Sequence, residues 1–215
     1  DEKRIKAASK EGWKVMNNFK IMLNSGIPFE KALNYAKKGQ VVIVNNQKSY
    51  PISVAVLAHS YNLFDDRISM KIFDKLEKLD VKAYTAEQLS IEQLREGICA
   101  LDSKMYWANE YEMTGGAGHF LQDNNIDGII TINAFGCGPD SIMVERISRA
   151  ARKFNKKPVL NLSVDEQTGE AGFVTRIEAF TDMLFRKKRA SIINKIDIKE
   201  SAKNTSDNNI EITKN

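Results

Sequence analysis

The sequence predicts an α/β fold with a Rossmann-like, three-layer domain built on a four-stranded parallel sheet, preceded by N-terminal helices. Apolar, β-branched runs alternate along the chain with helical patterns, and this alternation is typical of parallel strands joined by helical crossovers. Right-handed crossovers that place helices on both faces of the sheet give the strand order 2-1-3-4. The four predicted strands are 52–58, 81–84, 129–133 and 158–164.

Two amphipathic helices are predicted before the first strand, over residues 3–23 and 29–38, because apolar residues recur there at spacings of three and four. Residues 41–47 are ambiguous, since their β-branched side chains favour a strand and their continuation of an apolar face favours a helix. We expect helix over 41–44. The other predicted helices are 68–79, 86–96, a segment from 139 onward, and a segment ending at 186.

The chain divides into three predicted segments: an N-terminal helical segment (1–50), the Rossmann-like domain (51–190) and a polar tail (191–215). The tail is expected to be disordered, because from about Ser201 it has little apolar surface to bury. The chain starts without Met and inside a helical pattern, so we expect it to be a fragment of a longer polypeptide.

Composition excludes some classes of function. The 42% hydrophobic and 28% charged residues are typical of a soluble globular protein, and no apolar run approaches the ~20 residues that cross a bilayer. The two cysteines, Cys99 and Cys137, form neither a disulfide framework nor a CxxC pair, which suits a cytoplasmic protein. The basic cluster 186–189 is more typical of a helix C-terminus than of a nucleic-acid site. We expect no nucleic-acid or membrane partner.

A glycine-rich turn follows the third predicted strand. Gly136 and Gly138 flank Cys137 in this turn, and Asp140 and Ser141 fall in the first turn of the next helix. Free N–H groups and the helix dipole favour an anion there, which suits a thiolate, an anionic ligand or a metal–sulfur cluster. The competing interpretation is a small structural cysteine, and the spacing alone slightly favours it.

Two other loops should converge with this turn at the carboxyl ends of the strands, where such sheets bind ligands. One loop spans 59–66 and the other 165–172. They contribute the further candidate binding residues His59, Tyr61, Asn62, Asp165 and Glu166.

The roles of these residues stay open in the sequence. His59 has the chemistry of a ligand or an acid–base group, and it is about equally suited to locking its loop through backbone hydrogen bonds. Asp165 and Glu166 leave a buried strand, where carboxylates need a partner, and Arg176 is the predicted counter-charge. The alternative for residues 175–178 is a capping box.

Three motifs resemble one family: AFGCGPDS (134–141), DEQTGEAGFVTRIEAFTDML (165–184) and VAVLAHSYNLFDD (54–66). They are similar to the C-terminal region of the large acyl-CoA dehydratase activase-related proteins, which are relatives of the 2-hydroxyglutaryl-CoA dehydratase iron–sulfur components. The resemblance covers about 52–186. One departure is Ser60, which stands where these relatives usually have proline between histidine and tyrosine.

The resemblance implies a part in electron transfer. In this family an activase of the acetate-kinase/Hsp70 type hydrolyses ATP and passes one electron to Rossmann-like domains that carry cysteine-ligated 4Fe-4S clusters. The resemblance implies that Cys137 matches a cluster-ligating cysteine of the family and is a metal ligand. It also implies a role in anaerobic metabolism. The implied partners are the remaining domains of a longer polypeptide, including the ATP-hydrolysing activase, and acyl-CoA dehydratase subunits.

One cysteine cannot hold a four-iron cluster, so we expect the cluster in the full-length protein and not in this fragment alone. Cys99 matches no motif. We also expect no turnover from the fragment. The rival hypothesis is a cluster-free, Rossmann-like module that binds an acyl-CoA, a nucleotide or a partner subunit.

Overall fold

A computed structural model of the chain describes residues 1–44, 48–101, 107–153 and 157–208, with side chains described as far as residue 193. The strands are β1 (Ile52–Leu57), β2 (Val81–Tyr84), β3 (Gly128–Ala134) and β4 (Val159–Val164). The helices are α1 (Glu2–Asn24), α2 (Phe29–Lys37), α3 (Ser60–Leu63), α4 (Ile72–Lys78), α5 (Ile91–Ala100), α6 (Ala108–Gln122), α7 (Gly138–Lys153) and α8 (Glu170–Asn208), with a 3₁₀ turn at Ala86–Gln88.

The four strands form one parallel sheet in the order β2-β1-β3-β4, which confirms the predicted fold class and strand order. Strands β1 and β3 lie side by side at the centre, with Val54 opposite Gly128 and Leu57 opposite Thr131. Both central strands are almost fully buried, as expected for a parallel sheet covered on both faces.

Helices cover both faces because successive strand residues point to opposite sides. Val54 and Ile130 pack with apolar residues of α4 and α8 on one face, whereas Ala55 and Ile129 pack with α6 and α7 on the other. Each face therefore has its own apolar core.

The N-terminal helices form a third, smaller core around Phe19, Met22 and Ala36. This core joins the α/β unit through Phe29, whose ring stacks on Phe64 with centroids 3.6 Å apart. The Asn24 side chain also donates a hydrogen bond to the Gln88 carbonyl. No helix in the described part of the chain has the length and apolar character needed to cross a membrane.

Several predicted helix limits were wrong. Residues 41–44 are not helical, because α2 ends at Lys37 and Gly39 adopts a φ of +68° that turns the chain away. Residues 45–47 lie outside the described residues. The predicted helix 68–79 begins only at Ile72, since the two residues before it have φ of 49° and 53°.

The predicted helix 86–96 is two elements. A 3₁₀ turn with a capping box between Thr85 and Gln88 precedes α5, which begins after Ser90. Ser90 and Gln93 form a second capping box, so two start signals stand within six residues. This is why the helical pattern breaks at Ser90.

The last helix continues to Asn208, beyond the end predicted at 186. Residues 186–189 therefore lie within α8 and do not cap its end. Lys188 bonds Asp127, with Nζ 2.9 Å from Oδ2. Of the tail predicted to be disordered, 191–208 has helical backbone, and 209–215 lie outside the described residues.

Candidate functional site

The turn between β3 and α7 is folded as the sequence predicts. Gly136 has a φ of +76°, which favours glycine, and the next amide, that of Cys137, donates to the Ala134 carbonyl at 3.1 Å. The Cys137 carbonyl accepts hydrogen bonds from the Ser141 amide at 3.1 Å and its hydroxyl at 2.9 Å. Cys137 is thus the residue that precedes the first turn of α7, and it is partly exposed.

Asp140 holds this turn against the sheet. Its side chain is fully buried, and Oδ2 accepts a hydrogen bond of 2.9 Å from the Ala134 amide. Its other oxygen, Oδ1, has no hydrogen-bond partner among the described residues. A buried carboxylate oxygen without a hydrogen-bond donor is unfavourable, so a neighbouring group that offers positive charge to Oδ1 would stabilise the turn.

His59 is the group beside that oxygen. Its side chain, 8% exposed, places Nδ1 3.2 Å from Asp140 Oδ1 and 2.8 Å from the Tyr61 hydroxyl. Only the contact with Tyr61 has the geometry of a hydrogen bond. Removal of the hydroxyl from water raises the pKa of Tyr61, and the negative charges of Asp140 and Cys137 raise it further. The loop after β1 and the turn after β3 therefore meet, as their positions predict.

Asn62 lies in a separate cleft of about 730 Å³ between the loops that follow β1 and β4. Its side chain is 2% exposed, and Nδ2 has no hydrogen-bond partner in the described structure. Asp165 and Glu166 also line this cleft, and Cys137 does not. The predicted site residues therefore separate into a group around Cys137 and a group around Asn62.

The acidic loop after β4 is organised differently from the prediction. Oδ1 of Asp165 accepts hydrogen bonds from the Thr168 hydroxyl at 2.6 Å and the Gln167 amide at 3.0 Å. The hydrogen bond from Thr168 has the largest effect on the pKa of Asp165, and both bonds lower it. Glu170 pairs with Lys75 at 2.7 Å, which lowers the pKa of Glu170.

Arg176 is not the counter-charge that the sequence predicts. Its guanidinium donates to the Asn161 carbonyl, on the preceding strand, and no ion pair joins it to the acidic loop in the described structure. The alternative capping box at 175–178 is also absent, because Thr175 lies inside α8 and its hydroxyl donates to the Ala171 carbonyl.

The described residues include no group of three or more His, Cys, Asp or Glu side chains that could hold a metal ion. Cys137 is a single, partly exposed cysteine, and a 4Fe-4S cluster takes four ligands. The described residues therefore do not fit a complete cluster, and Cys137 could supply one ligand of a shared one.

Two charged groups near this edge were missed. Glu87 follows β2 and accepts a hydrogen bond of 2.9 Å from the hydroxyl of Ser60, the residue next to His59. Its position after β2 was the available signal, because the carboxyl end of β2 lies at the same edge of the sheet as the other loops. Glu110 is 2% exposed and pairs with Arg146 at 2.7 Å. The sequence feature that could have identified Glu110 is its spacing, because it lies three residues before Met113 on the buried face of α6.

The fold and this edge define a Rossmann-like α/β protein with a partly exposed cysteine at a strand-to-helix turn. The chain belongs to the 2-hydroxyglutaryl-CoA dehydratase D-component family, whose family model matches residues 68–184, more than half of the chain. The model of the CoA enzyme activase uncharacterised domain matches residues 1–89. No curated protein gives a significant match.

Proposed function

We propose that this chain contributes its Rossmann-like domain and the thiol of Cys137 to an iron–sulfur, electron-transfer site of a CoA enzyme activase-type protein. The observation that carries the proposal is the placement of Cys137. It is partly exposed at the N-terminal end of a 16-residue helix, where the backbone favours a thiolate. A buried structural cysteine would instead turn its sulfur into the apolar core.

In this proposal the cluster is a shared one. It would supply one-electron chemistry, and the role of this chain is to hold one ligand at a rigid turn. Asp140 fixes that turn to the end of β3, which limits movement of the thiol. The other ligands come from activase or dehydratase components, the partners that the family descriptions suggest. A reducing cytoplasm would keep the thiol available.

The test is anaerobic purification of the protein with its activase and dehydratase partners, followed by iron and sulfide analysis. We expect iron–sulfur absorbance in the parent and a clear loss of iron in Cys137→Ala. The matched control is Cys99→Ala, because Cys99 is the other cysteine of the chain and lies on α5. Equal iron in the parent and Cys137→Ala would remove Cys137 from the site.

The cleft around Asn62 favours a second candidate, the cluster-free binding module. Its volume of about 730 Å³ is in the range of small-ligand sites, and the buried Nδ2 of Asn62 is a donor without an acceptor among the described residues. A ligand with a carbonyl or phosphate oxygen, such as an acyl-CoA or a nucleotide, would satisfy that donor.

Calorimetric titration with coenzyme A tests this candidate. We expect binding to the parent and binding weakened by about tenfold in Asn62→Leu, which keeps the bulk and removes the donor. Asn109→Leu is the control, because Asn109 is exposed and is not among the residues that line the cleft. Equal affinity in the parent and Asn62→Leu would exclude the cleft as the binding site.

A further inference from the structure

His59 has two oxygen neighbours on the same ring nitrogen. Nδ1 lies 2.8 Å from the Tyr61 hydroxyl and 3.2 Å from Asp140 Oδ1, and Asp140 is fully buried while Tyr61 is 56% exposed. In a neutral imidazole Nδ1 is either a donor or an acceptor. The position of one proton therefore decides which way the Tyr61 hydroxyl points.

If Nδ1 is unprotonated, its one lone pair accepts the Tyr61 hydrogen, and Nδ1 carries no proton that could face Asp140 Oδ1. That arrangement places an electron-rich nitrogen, and no proton, near a buried carboxylate oxygen that has no hydrogen-bond donor in the described structure, which is unfavourable. If Nδ1 carries the proton, its partial positive charge lies 3.2 Å from Oδ1 and it donates to the Tyr61 oxygen. The Tyr61 O–H is then free to donate outward.

We infer that Tyr61 is a ligand-contacting hydrogen-bond donor of the Cys137 site, with His59 and Asp140 as its positioning residues. Asp140 holds the proton on Nδ1 of His59, His59 donates to the Tyr61 oxygen, and the Tyr61 O–H meets an anionic or carbonyl oxygen of a bound molecule. The inference rests on the proposed location of the site at Cys137 and is independent of iron.

Two further observations support this assignment. The His59 ring joins the Tyr61 hydroxyl, 2.8 Å from Nδ1, to Asp140, 3.2 Å from Nδ1, and Asp140 lies three residues after Cys137 in the same turn, so Tyr61 lies on the side of the sheet that carries Cys137. Asp140 is fixed through its other oxygen to the Ala134 amide, so Oδ1 cannot turn away to find another donor. The carboxylate therefore acts on His59 from a fixed position.

Nitrogen-15 NMR of the imidazole rings tests the positioning step. The chain has two histidines, so the His119→Asn variant assigns the spectrum, and His119 serves as the internal reference in the parent. We expect Nδ1 of His59 to be protonated in the parent at neutral pH and the proton to move to Nε2 in Asp140→Asn. An unprotonated Nδ1 in the parent would overturn the inference, whether or not Asp140→Asn folds.

Alkylation of Cys137 tests the donor step, in a Cys99→Ala background where Cys137 is the sole thiol. Iodoacetate brings a carboxylate to the site and iodoacetamide a neutral amide. We expect Tyr61→Phe to lower the ratio of the iodoacetate rate to the iodoacetamide rate by about threefold, because it removes a donor to the anion. The ratio cancels any change in the thiol itself. An unchanged ratio would mean that Tyr61 does not contact the ligand.

These outcomes are separate from those of the iron analysis. If the iron analysis rejects the cluster, while His59 Nδ1 is protonated and Tyr61→Phe lowers the ratio of the alkylation rates, Tyr61 is the hydrogen-bond donor of a site without a cluster. Iron that depends on Cys137, with an unchanged ratio, would support the cluster and reject the role of Tyr61.

Discussion

At the residue scale, the candidate site depends on the burial of Asp140. An acid in the first turn of a helix is favoured by the helix dipole, and the sequence predicts its place there. Its complete burial comes from the tight turn, which brings the carboxylate under the end of β3 to accept from Ala134. Spacing along the chain could not predict that contact or the approach of His59, because both join segments folded together only by the sheet.

The two cysteines should differ in reactivity. Cys137 precedes α7, whereas Cys99 lies in the last turn of α5, where the helix dipole disfavours an anion. We expect iodoacetamide to modify Cys137 several times faster at neutral pH, because a helix N-terminus favours the negative charge of a reacting sulfur and a helix C-terminus opposes it. Mass spectrometry of the single variants Cys99→Ala and Cys137→Ala measures the two rates. A faster Cys99 would show that exposure outweighs the dipole.

At the element scale, the contact between α5 and α6 is built on glycine. A Cβ added at Gly97 would lie 1.9 Å from the Gly115 carbonyl oxygen, and one added at Gly118 would lie 1.9 Å from the Gly97 carbonyl oxygen. The backbones of the two helices therefore touch. The sequence alone does not predict this packing role for Gly115 and Gly118, because the role depends on the position of α5.

Gly118→Ala should destabilise the protein by about 2 kcal/mol or more, because backbone must shift to admit one methyl group. Gly12→Ala is the matched control, since Gly12 lies inside α1 with open space around it. That change should stabilise the protein by about 0.5–1 kcal/mol through helix propensity. Urea denaturation measures both. Equal effects at the two positions would refute the close crossing.

The Glu110–Arg146 pair should tie α6 to α7. Arg146→Ala leaves a carboxylate that is 2% exposed without this partner, so we expect a loss of about 3 kcal/mol in the free energy of unfolding. Arg149→Ala, which removes an exposed pair with Glu145, should leave the free energy of unfolding unchanged within error. A similarly small effect of Arg146→Ala in urea denaturation would show that Glu110 is satisfied by other contacts.

The element scale also shows which features the sequence can predict. The strands and their order follow from buried β-branched runs such as 129–132, which dominate local propensity. The ends of helices depend on single residues. The two positive φ values before Ile72 and the capping box at Ser90 change the apolar pattern of the sequence less than a buried strand does. Arg176 was assigned to the wrong partner because charge alone does not say which surface an arginine faces.

At the scale of the whole molecule, the candidate site spans both family matches. His59, Tyr61 and Asn62 lie within the activase-domain match at 1–89, and Cys137 and Asp140 lie within the D-component match at 68–184. The parallel sheet brings the two groups together, since β1 and β3 are neighbours. A function assigned to either match alone would therefore omit part of the site.

Charged side chains lie at the contact between α1 and the α/β unit. The ammonium group of Lys20, on α1, donates to the Leu89 carbonyl, and burial lowers the pKa of Lys20. On α6, burial raises the pKa of Glu112, the negative charge of Glu87 raises it further, and Lys20 opposes both. The carboxylate form of Glu112 is thus less favourable in the folded protein than in the unfolded chain.

Glu112 should make the protein less stable as pH rises. A carboxyl whose pKa is higher in the folded state holds its proton longer there, so stability falls from about pH 4, the unfolded value, up to the raised pKa of Glu112. We expect Glu112→Gln to be more stable than the parent at pH 7, with a difference that vanishes below pH 4 in urea denaturation. Glu92→Gln is the control of opposite sign, because hydrogen bonds from its own amide and from Ser90 lower the pKa of Glu92. Its loss should weaken the protein at pH 7, and a Glu112→Gln variant that behaves like Glu92→Gln would show that Lys20 outweighs burial at this junction.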